Sequence, residues 1–206
     1  MSSYPIRDQK TDQLLTPENA VLIIIDYQPV QFSTIRSMNP HELQTNIIVV
    51  AKMGLKYKLP ILLSTVNVKT GINKNTIPQL REALPGVESF DRTTINAWED
   101  KEFREAVIAT GRKKLIICAL WTEACLTFPT LDALKEGYEV YAVVDAVGGT
   151  SVVAHEMGLR RIEQAGAKLT SIGQLACELQ RDWSRHETAP YMVEAFMEAG
   201  IFMKLE

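Results

Sequence analysis

The stretch Leu115–Pro129, LIICALWTEACLTFP, decides the fold of this chain. Its first half, Leu115–Leu120, is a short apolar run typical of a buried strand. The run ends at Trp121, after which Thr122 is predicted to cap a new helix with Cys125 near its N-terminus. Because ligands of open parallel sheets bind where strands end, and because the helix dipole favours thiolate there, the stretch predicts a reactive thiol. The alternative is a buried structural cysteine.

The rest of the chain repeats this strand-to-helix alternation. Further strands are predicted at Ala20–Asp26, Pro60–Val66, Tyr138–Val144 and Lys168–Ser171. Helices are predicted at Pro40–Tyr57, Asp100–Thr110, Thr122–Glu136 and Ser151–Gln164, with one or two helical turns at Pro78–Leu84. Strands that alternate with helices indicate a parallel sheet, and right-handed crossovers then give a doubly wound, three-layer α/β/α sandwich. Pro129 lies inside a predicted helix and is expected to kink or destabilise it.

Length and composition favour one soluble globular domain over residues 1–206, with 186–206 as a C-terminal helical tail. Hydrophobic residues make up 46% and charged residues 23%, and the net charge of -3 gives no footprint for nucleic acid or an anionic membrane. No signal peptide is predicted, and no apolar run approaches the roughly 20 residues of a membrane span. Three cysteines at no metal-ligand spacing favour a reducing, cytoplasmic location.

Two acids end predicted strands and are therefore candidates for a cleft. Asp26 precedes an irregular segment that needs no helix cap, which favours a functional role. Asp145 precedes the Gly148–Gly149 turn, and there a structural capping role is favoured. Of the three histidines only His155 is near enough to the Asp145 turn to be considered for the cleft, and a surface role is the stronger interpretation. No hydrolase elbow, P-loop or dinucleotide fingerprint is present in the sequence.

Three motifs together resemble the isochorismatase-like cysteine hydrolases. They are LIIIDYQ at Leu22–Gln28, RTTINAW at Arg92–Trp98 and WTEAC at Trp121–Cys125. The closer resemblance is to the YcaC-type branch of that family. It is carried by CLTFP at Cys125–Pro129, by Asp145–Ala146, by QAGA at Gln164–Ala167 and by ACELQRDW at Ala176–Trp183.

The resemblance implies a Rossmann-like, six-stranded parallel sheet and three catalytic residues, Asp26, Arg92 and Cys125. Most of the superfamily has lysine where this chain has Arg92. Arginine keeps its charge and is a poor proton donor, so Asp26 is expected to carry the proton transfers. The resemblance also implies a cis peptide bond between Leu120 and Trp121. An oxyanion hole would then be formed by the backbone N–H groups of Trp121 and Cys125.

The expected activity is hydrolysis of a small amide at its C–N bond, or of an ester or thioester, through a covalent acyl-enzyme. Residues expected to line the substrate pocket are Phe32, Ile35, Asn96, Trp98, Trp121 and Thr122. The nicotinamidase branch binds a metal through an Asp and histidines after its second strand, and Ser64–Asn75 contains neither residue type. No metal or cofactor is therefore expected. Two alternatives remain open: a catalytically silent or redox-sensing oligomeric scaffold, and a small-molecule binding protein.

The tail carries the expectation about assembly. Tyr191–Met203 is predicted to be an apolar helix, and a doubly wound sheet already has both faces covered. A partner subunit is therefore expected to cover the helix in a homo-oligomer, a tetramer or octamer as in the YcaC-type branch, the alternative being a tail folded onto its own domain. Cys118 and Cys177, unlike Cys125, are expected to be shielded from solvent.

Overall fold

The computed structural model describes residues 7–202. Its centre is one parallel sheet of six strands, in the spatial order β3-β2-β1-β4-β5-β6. In chain order the strands are β1 (Ala20–Ile25), β2 (Ile61–Val66), β3 (Ser89–Arg92), β4 (Lys114–Ala119), β5 (Glu139–Val143) and β6 (Lys168–Thr170). Every pairing between neighbours is parallel. The six-stranded parallel sheet is thereby confirmed.

Helices flank the sheet and complete the three-layer sandwich. They are α1 (Pro29–Ser33), α2 (Pro40–Lys56), α3 (Pro78–Ala83), α4 (Lys101–Ala109), α5 (Thr127–Lys135), α6 (Val152–Gln164), α7 (Ile172–Gln180) and α8 (Ala189–Glu198). Asn39 caps α2, as its sequence position before Pro40 predicts, by accepting from the N–H groups of His41 and Glu42. None of the helices within residues 7–202 has the length and apolar character needed to cross a membrane.

The strand order reverses between β1 and β4, and this switch point organises one edge of the sheet. Ile25, the last residue of β1, pairs with Ser64 on one side and with Ala119 on the other. The last residue of β3, Arg92, pairs with Val66 of β2. Crevices of open α/β sheets form at the carboxyl ends of strands beside such a reversal. The segments that follow β1, β3 and β4 therefore converge.

Strand β3 is not predicted by the hydrophobic pattern of the sequence. Ser89–Arg92 contains one apolar residue, Phe90, and only its last residue is buried. It is held as the edge strand by pairing with β2, where Leu63 faces Ser89 and Val66 faces Arg92. A four-residue edge strand needs no alternating apolar pattern, so hydrophobic periodicity does not predict it.

The helix predicted at Thr122–Glu136 is two elements. Thr122–Leu126 forms a single π-helical turn, here called the π turn, and α5 continues from Thr127. The prediction that Thr122 caps this helix is wrong: Trp121 occupies the cap position, with no side-chain cap bond. Pro129 lies in the first turn of α5, just after the change of helix type, so the expected irregularity is located immediately before it.

The tail helix α8 lies on its own chain. Its buried residues Met192, Ala195 and Phe196 pack with α2 and α7, and Lys52 of α2 forms an ion pair with Glu198 at 2.7 Å. The inner face of this helix thus follows the alternative, a tail folded onto its own domain, whereas the expected subunit contact stays a prediction. The other face of α8 still exposes Val193 and Met197, and Ile201 and Phe202 are exposed just after its end. Met203 lies outside the described residues.

Candidate active site

Asp26 follows β1 directly and is completely buried, with 0% exposure. Its backbone has φ +62°, a left-handed conformation that non-glycine residues rarely adopt and that Asp tolerates better than most. Its N–H donates to the carbonyl of Ser64 at 3.0 Å, which continues the pairing of β1 with β2. This turn directs the chain out of the sheet at the switch point.

Arg92 reaches Asp26 from two strands away. Its Nη1 donates to Oδ1 at 2.8 Å and its Nη2 to Oδ2 at 2.7 Å, so the guanidinium binds both carboxylate oxygens. Nη1 also donates to the Ser64 hydroxyl and the Thr65 carbonyl at the end of β2, and Nη2 to the Ile95 carbonyl. Burial opposes the charge, but the hydrogen bond and charge of Asp26 raise the pKa of Arg92 above its ordinary value. Arg92 is therefore a fixed cation.

Cys125 completes a three-residue cluster. It is 7% exposed, and its thiol lies close enough to the Asp26 carboxylate for the two groups to interact. Burial, then the charge and hydrogen bond of Asp26, raise the pKa of this thiol well above its ordinary value, while Arg92 and the Trp121 N–H act in the opposite direction. The helix-dipole prediction of a resting thiolate is thus wrong, because desolvation and a neighbouring carboxylate outweigh the dipole.

The peptide bond between Leu120 and Trp121 is cis, as the family resemblance implies. The Trp121 backbone N–H acts to lower the pKa of the Cys125 thiol, and the Trp121 carbonyl accepts from the N–H groups of Ala124 and Leu126. The Trp121 indole donates to the Thr34 hydroxyl at 2.6 Å. Trp121, the residue before the π turn, therefore connects that turn to the segment after β1.

Helix α6 packs against the π turn. The side chain of Thr122 is completely buried, and its hydroxyl lies 2.8 Å from Nδ1 of His155. Glu123 accepts from both the N–H and the hydroxyl of Thr150. His155 therefore contacts Thr122, a residue predicted for the pocket, and sequence reasoning missed this contact because 33 residues separate the two.

The predicted pocket residues Asn96 and Trp98 bind α5. Asn96 accepts from the Trp98 N–H and donates to Asp132 at 2.7 Å, and the Trp98 indole donates to Glu136 at 3.0 Å. Both side chains use their polar groups to hold the segment after β3 against the helix that follows the π turn. Their contact with substrate stays a prediction.

Of the two pocket residues predicted in the first loop, Ile35 is buried and Phe32 is half-buried. Atoms of Ile35 lie 3.0 to 3.3 Å from where a Cβ on Gly148 would be, which places this side chain against the Gly148–Gly149 turn. Phe32 packs near Tyr27, with ring centroids 6.4 Å apart. Phe32 is therefore the more accessible of the two.

Two further expectations have clear outcomes. Asp145 accepts from the N–H of Ile172, the first residue of α7, at 3.0 Å and 3.1 Å, so its capping role is confirmed. All three cysteines are free thiols, but Cys177 is exposed. The expectation that it is shielded is wrong, because α7 turns this residue away from the face that packs on the core. Cys118 is buried in β4 as expected.

A large groove elsewhere on the molecule does not coincide with this cluster. A groove of about 700 Å³, lined by Lys10, Asp12, Arg112, Lys114 and Lys168 among others, lies at the opposite edge, where the strands begin. The paired carboxylate and guanidinium and the nearby thiol lie instead at the carboxyl edge, which makes that edge the candidate active site. Within residues 7–202, there is no cluster of three or more His, Cys, Asp or Glu side chains that could hold a metal ion.

Comparison with known proteins identifies the family of this chain. The model of the isochorismatase domain matches residues 20–174. The chain belongs to the isochorismatase family. It is 35% identical over 170 residues to the probable hydrolase YcaC of Escherichia coli, covering 82% of this chain and 81% of that protein.

Two solved structures extend the comparison. The E. coli YcaC gene product, described as an octameric hydrolase of unknown specificity, superposes with a TM-score of 0.85 at 32% identity, covering 92% of each chain. YcaC of Pseudomonas aeruginosa, solved with hexane-2,5-diol and covalent acrylamide, gives 0.84 at 33% identity and covers 93% of this chain and 96% of that one. The resemblance to the YcaC-type branch is thereby confirmed.

Proposed function

We propose that this protein is a cysteine hydrolase that cleaves a small amide, or less favourably an ester or thioester, through a covalent acyl-enzyme. The observation that carries the proposal is the position of the Asp26 carboxylate, which contacts the Cys125 thiol and the Arg92 guanidinium at once. A nucleophile, a base in hydrogen-bond contact with it and a cation that orients the base are the parts that nucleophilic catalysis requires.

The first half-reaction transfers the acyl group to sulfur. Asp26 takes the thiol proton as the Cys125 sulfur attacks the substrate carbonyl, and a C–S bond forms. The oxyanion of the tetrahedral intermediate accepts from the backbone N–H groups of Trp121 and Cys125. Asp26 then gives its proton to the leaving nitrogen, the C–N bond breaks and the amine or ammonia departs, which leaves a thioester on Cys125.

The second half-reaction restores the enzyme. Asp26 takes a proton from water as the water oxygen attacks the thioester carbonyl. The C–S bond breaks, the sulfur recovers its proton from Asp26, and the carboxylic acid leaves. Arg92 stays protonated throughout because Asp26 raises its pKa, so it orients the base and moves no proton.

A neutral resting thiol suits this sequence of steps. The raised pKa of Cys125 means that its proton leaves as the carbonyl is attacked, into a carboxylate already in hydrogen-bond contact. A stable thiolate would instead repel the adjacent Asp26. Further support comes from the P. aeruginosa relative, which holds covalent acrylamide, a small amide that is also an electrophile.

The test is a panel of small amides assayed for ammonia release, with intact mass of the protein recorded during turnover. We expect an acyl adduct on the wild-type protein, and none on Cys125→Ala, whose turnover should fall by several orders of magnitude. Asp26→Asn should block both half-reactions while leaving Cys125 in place. Turnover should survive a metal chelator.

Other outcomes of the panel favour the alternatives. Binding of amides without any adduct would favour a small-molecule binding protein that keeps the same site. Neither binding nor an adduct, with intact assembly, would favour the oligomeric scaffold. A bound metal at one per chain would contradict the metal-free mechanism.

We also propose a symmetric homo-oligomer, a tetramer or an octamer, in a reducing cytoplasm. The E. coli relative is described as octameric, and α8 and α6 both expose apolar side chains, those of α6 being Val152, Val153 and Met157. All three cysteines are free thiols, which fits a reducing compartment.

A further inference from the structure

The π turn rests on α6 at two positions one helical turn apart. At Gly158 the two backbones are so close that a Cβ would lie 3.2 Å from the Cα and N of Glu123 and from the carbonyl carbon of Thr122. At His155 the contact is the hydrogen bond to the Thr122 hydroxyl, at 2.8 Å. These contacts involve Thr122 and Glu123, which lie three and two residues before Cys125 on the chain.

The Thr122 hydroxyl depends on this histidine. Thr122 is completely buried, and within residues 7–202 the hydrogen bond described for its hydroxyl is the one to Nδ1. A neutral imidazole with its proton on Nε2 accepts the hydroxyl proton. A protonated imidazole makes Nδ1 a donor, which leaves the hydroxyl proton without an acceptor in a buried place. The two charge states of His155 therefore support the π turn unequally.

The surroundings of His155 favour its neutral form. Burial lowers the pKa of His155, while the carboxylates of Glu123 on the π turn and Glu156 on α6 act in the opposite direction. One Glu123 oxygen binds Thr150, and the other is buried with no hydrogen-bond partner in the described part of the chain. Because burial lowers its pKa, His155 gains its proton at a lower pH than an exposed histidine does.

We propose that His155 is a positioning residue, which holds the π turn through Thr122 in the geometry in which Cys125 reacts. The inference rests on the proposed function only in taking Cys125 as the reactive group. His155 has no part in the covalent steps. Its loss or its protonation should slow every reaction of Cys125, including those with simple electrophiles.

The test measures the alkylation rate of Cys125 by iodoacetamide, followed by peptide mass, from about pH 5 to pH 8. A Cys177→Ser background removes the exposed thiol. We expect His155→Ala to slow alkylation roughly tenfold or more, since small misplacements at a reacting centre are costly. His155→Asn places a carboxamide oxygen near the position of Nδ1 and does not titrate. This variant should restore most of the alkylation rate. It should lack the additional decrease in rate at acidic pH that protonation of His155 causes in the wild type.

A second variant locates the effect on the hydrogen bond. Thr122→Val keeps the side-chain shape and removes the hydroxyl, so it should match His155→Ala, and the double variant should be no slower than either. His41→Ala is the matched control, because His41 is an exposed histidine 3.5 Å from the Thr45 hydroxyl on α2. That variant should alkylate at the wild-type rate.

The results distinguish failure of the positioning role of His155 from failure of the proposed function. Wild-type rates in His155→Ala, additive losses in the double variant, or an acidic fall that persists in His155→Asn would each overturn the positioning role. If His155→Ala does not fold, the pH profile of His155→Asn and the rate of Thr122→Val decide whether the role holds. No alkylation of Cys125 in the wild type would instead contradict the proposed function.

Discussion

Arg92 and Asp26 form a two-point ion pair that is closed to solvent, with side chains 1% and 0% exposed and oxygen–nitrogen distances of 2.8 Å and 2.7 Å. Two charges so deeply buried cost desolvation energy that their mutual attraction and hydrogen bonds offset. The pair is therefore sensitive to the loss of either partner. It also ties β3 to β1 across the end of β2.

Replacing Arg92 tests this sensitivity. Arg92→Met leaves the Asp26 carboxylate unpaired and should lower the free energy of unfolding in urea by about 3–5 kcal/mol. Arg92→Lys keeps the charge without the two-point geometry and should cost less. Arg104→Met is the control, since Arg104 also binds both oxygens of a carboxylate, that of Glu136, but at an exposed position. It should have little effect on stability because the pair is screened by solvent, and equal losses at the two arginines would contradict the buried-pair argument.

Alkaline pH should destabilise this fold through its buried thiols. Burial raises the pKa of Cys125 and of Cys118, so the folded protein keeps protons that the unfolded chain releases above its ordinary thiol pKa of about 8.5. Stability must then fall as pH rises above that value. In Cys125→Ala, the slope of the free energy of unfolding against pH should be less steep by up to about 1.4 kcal/mol per pH unit. An unchanged slope would mean that Cys125 is not a buried neutral thiol.

The close approach of α6 to the π turn predicts that Gly158 cannot be replaced by a larger residue without loss of stability. Gly158→Ala brings a Cβ against backbone atoms of Thr122 and Glu123 at 3.2 Å, and backbone cannot move aside as a flexible side chain can. We expect a loss of about 1–3 kcal/mol in stability and slower alkylation of Cys125. Gly173→Ala is the matched control because its Cβ would meet Ile201 at 3.5 Å, an ordinary contact, within α7. It should be neutral or slightly stabilising, and the same loss at both positions would refute the role of close packing.

The sequence predicts those strands that consist of continuous apolar runs. Strands β1 and β4 are covered on both faces, so their side chains are buried along the whole run and the pattern is read directly. Asp26 and Cys125 follow from the rule that sites lie at strand ends. The short edge strand β3 has no such pattern, and its place is set by pairing with β2.

What the sequence does not predict depends on contacts between distant segments. The bond between Thr122 and His155 and the close approach at Gly158 require α6 to lie behind the π turn, which no local pattern indicates. The prediction of a resting thiolate at Cys125 is wrong for the same reason. The helix dipole is a local feature, whereas burial and the charge of Asp26 arise only once three separate segments meet.

The proposed homo-oligomer leads to a prediction about its contact surface. Because α8 fills a groove on α2 and α7 with Met192 and Phe196, deleting the tail would expose the core and confuse misfolding with loss of assembly. A point change on its outer face is sharper. Met197 is 38% exposed there, and a symmetric contact would place a charge at this position in every subunit.

Met197→Glu should therefore dissociate the assembly, which light scattering would detect as a lower mass. Its melting temperature should change little, because Met197 does not belong to the core of the subunit. Val153→Glu, at a 68% exposed position on α6, is the comparison variant. If it dissociates the assembly while Met197→Glu does not, the subunit contact lies on α6, behind the π turn. Wild-type protein that is monomeric at all concentrations would end the proposal, because its exposed apolar side chains would then have no partner copy to cover them.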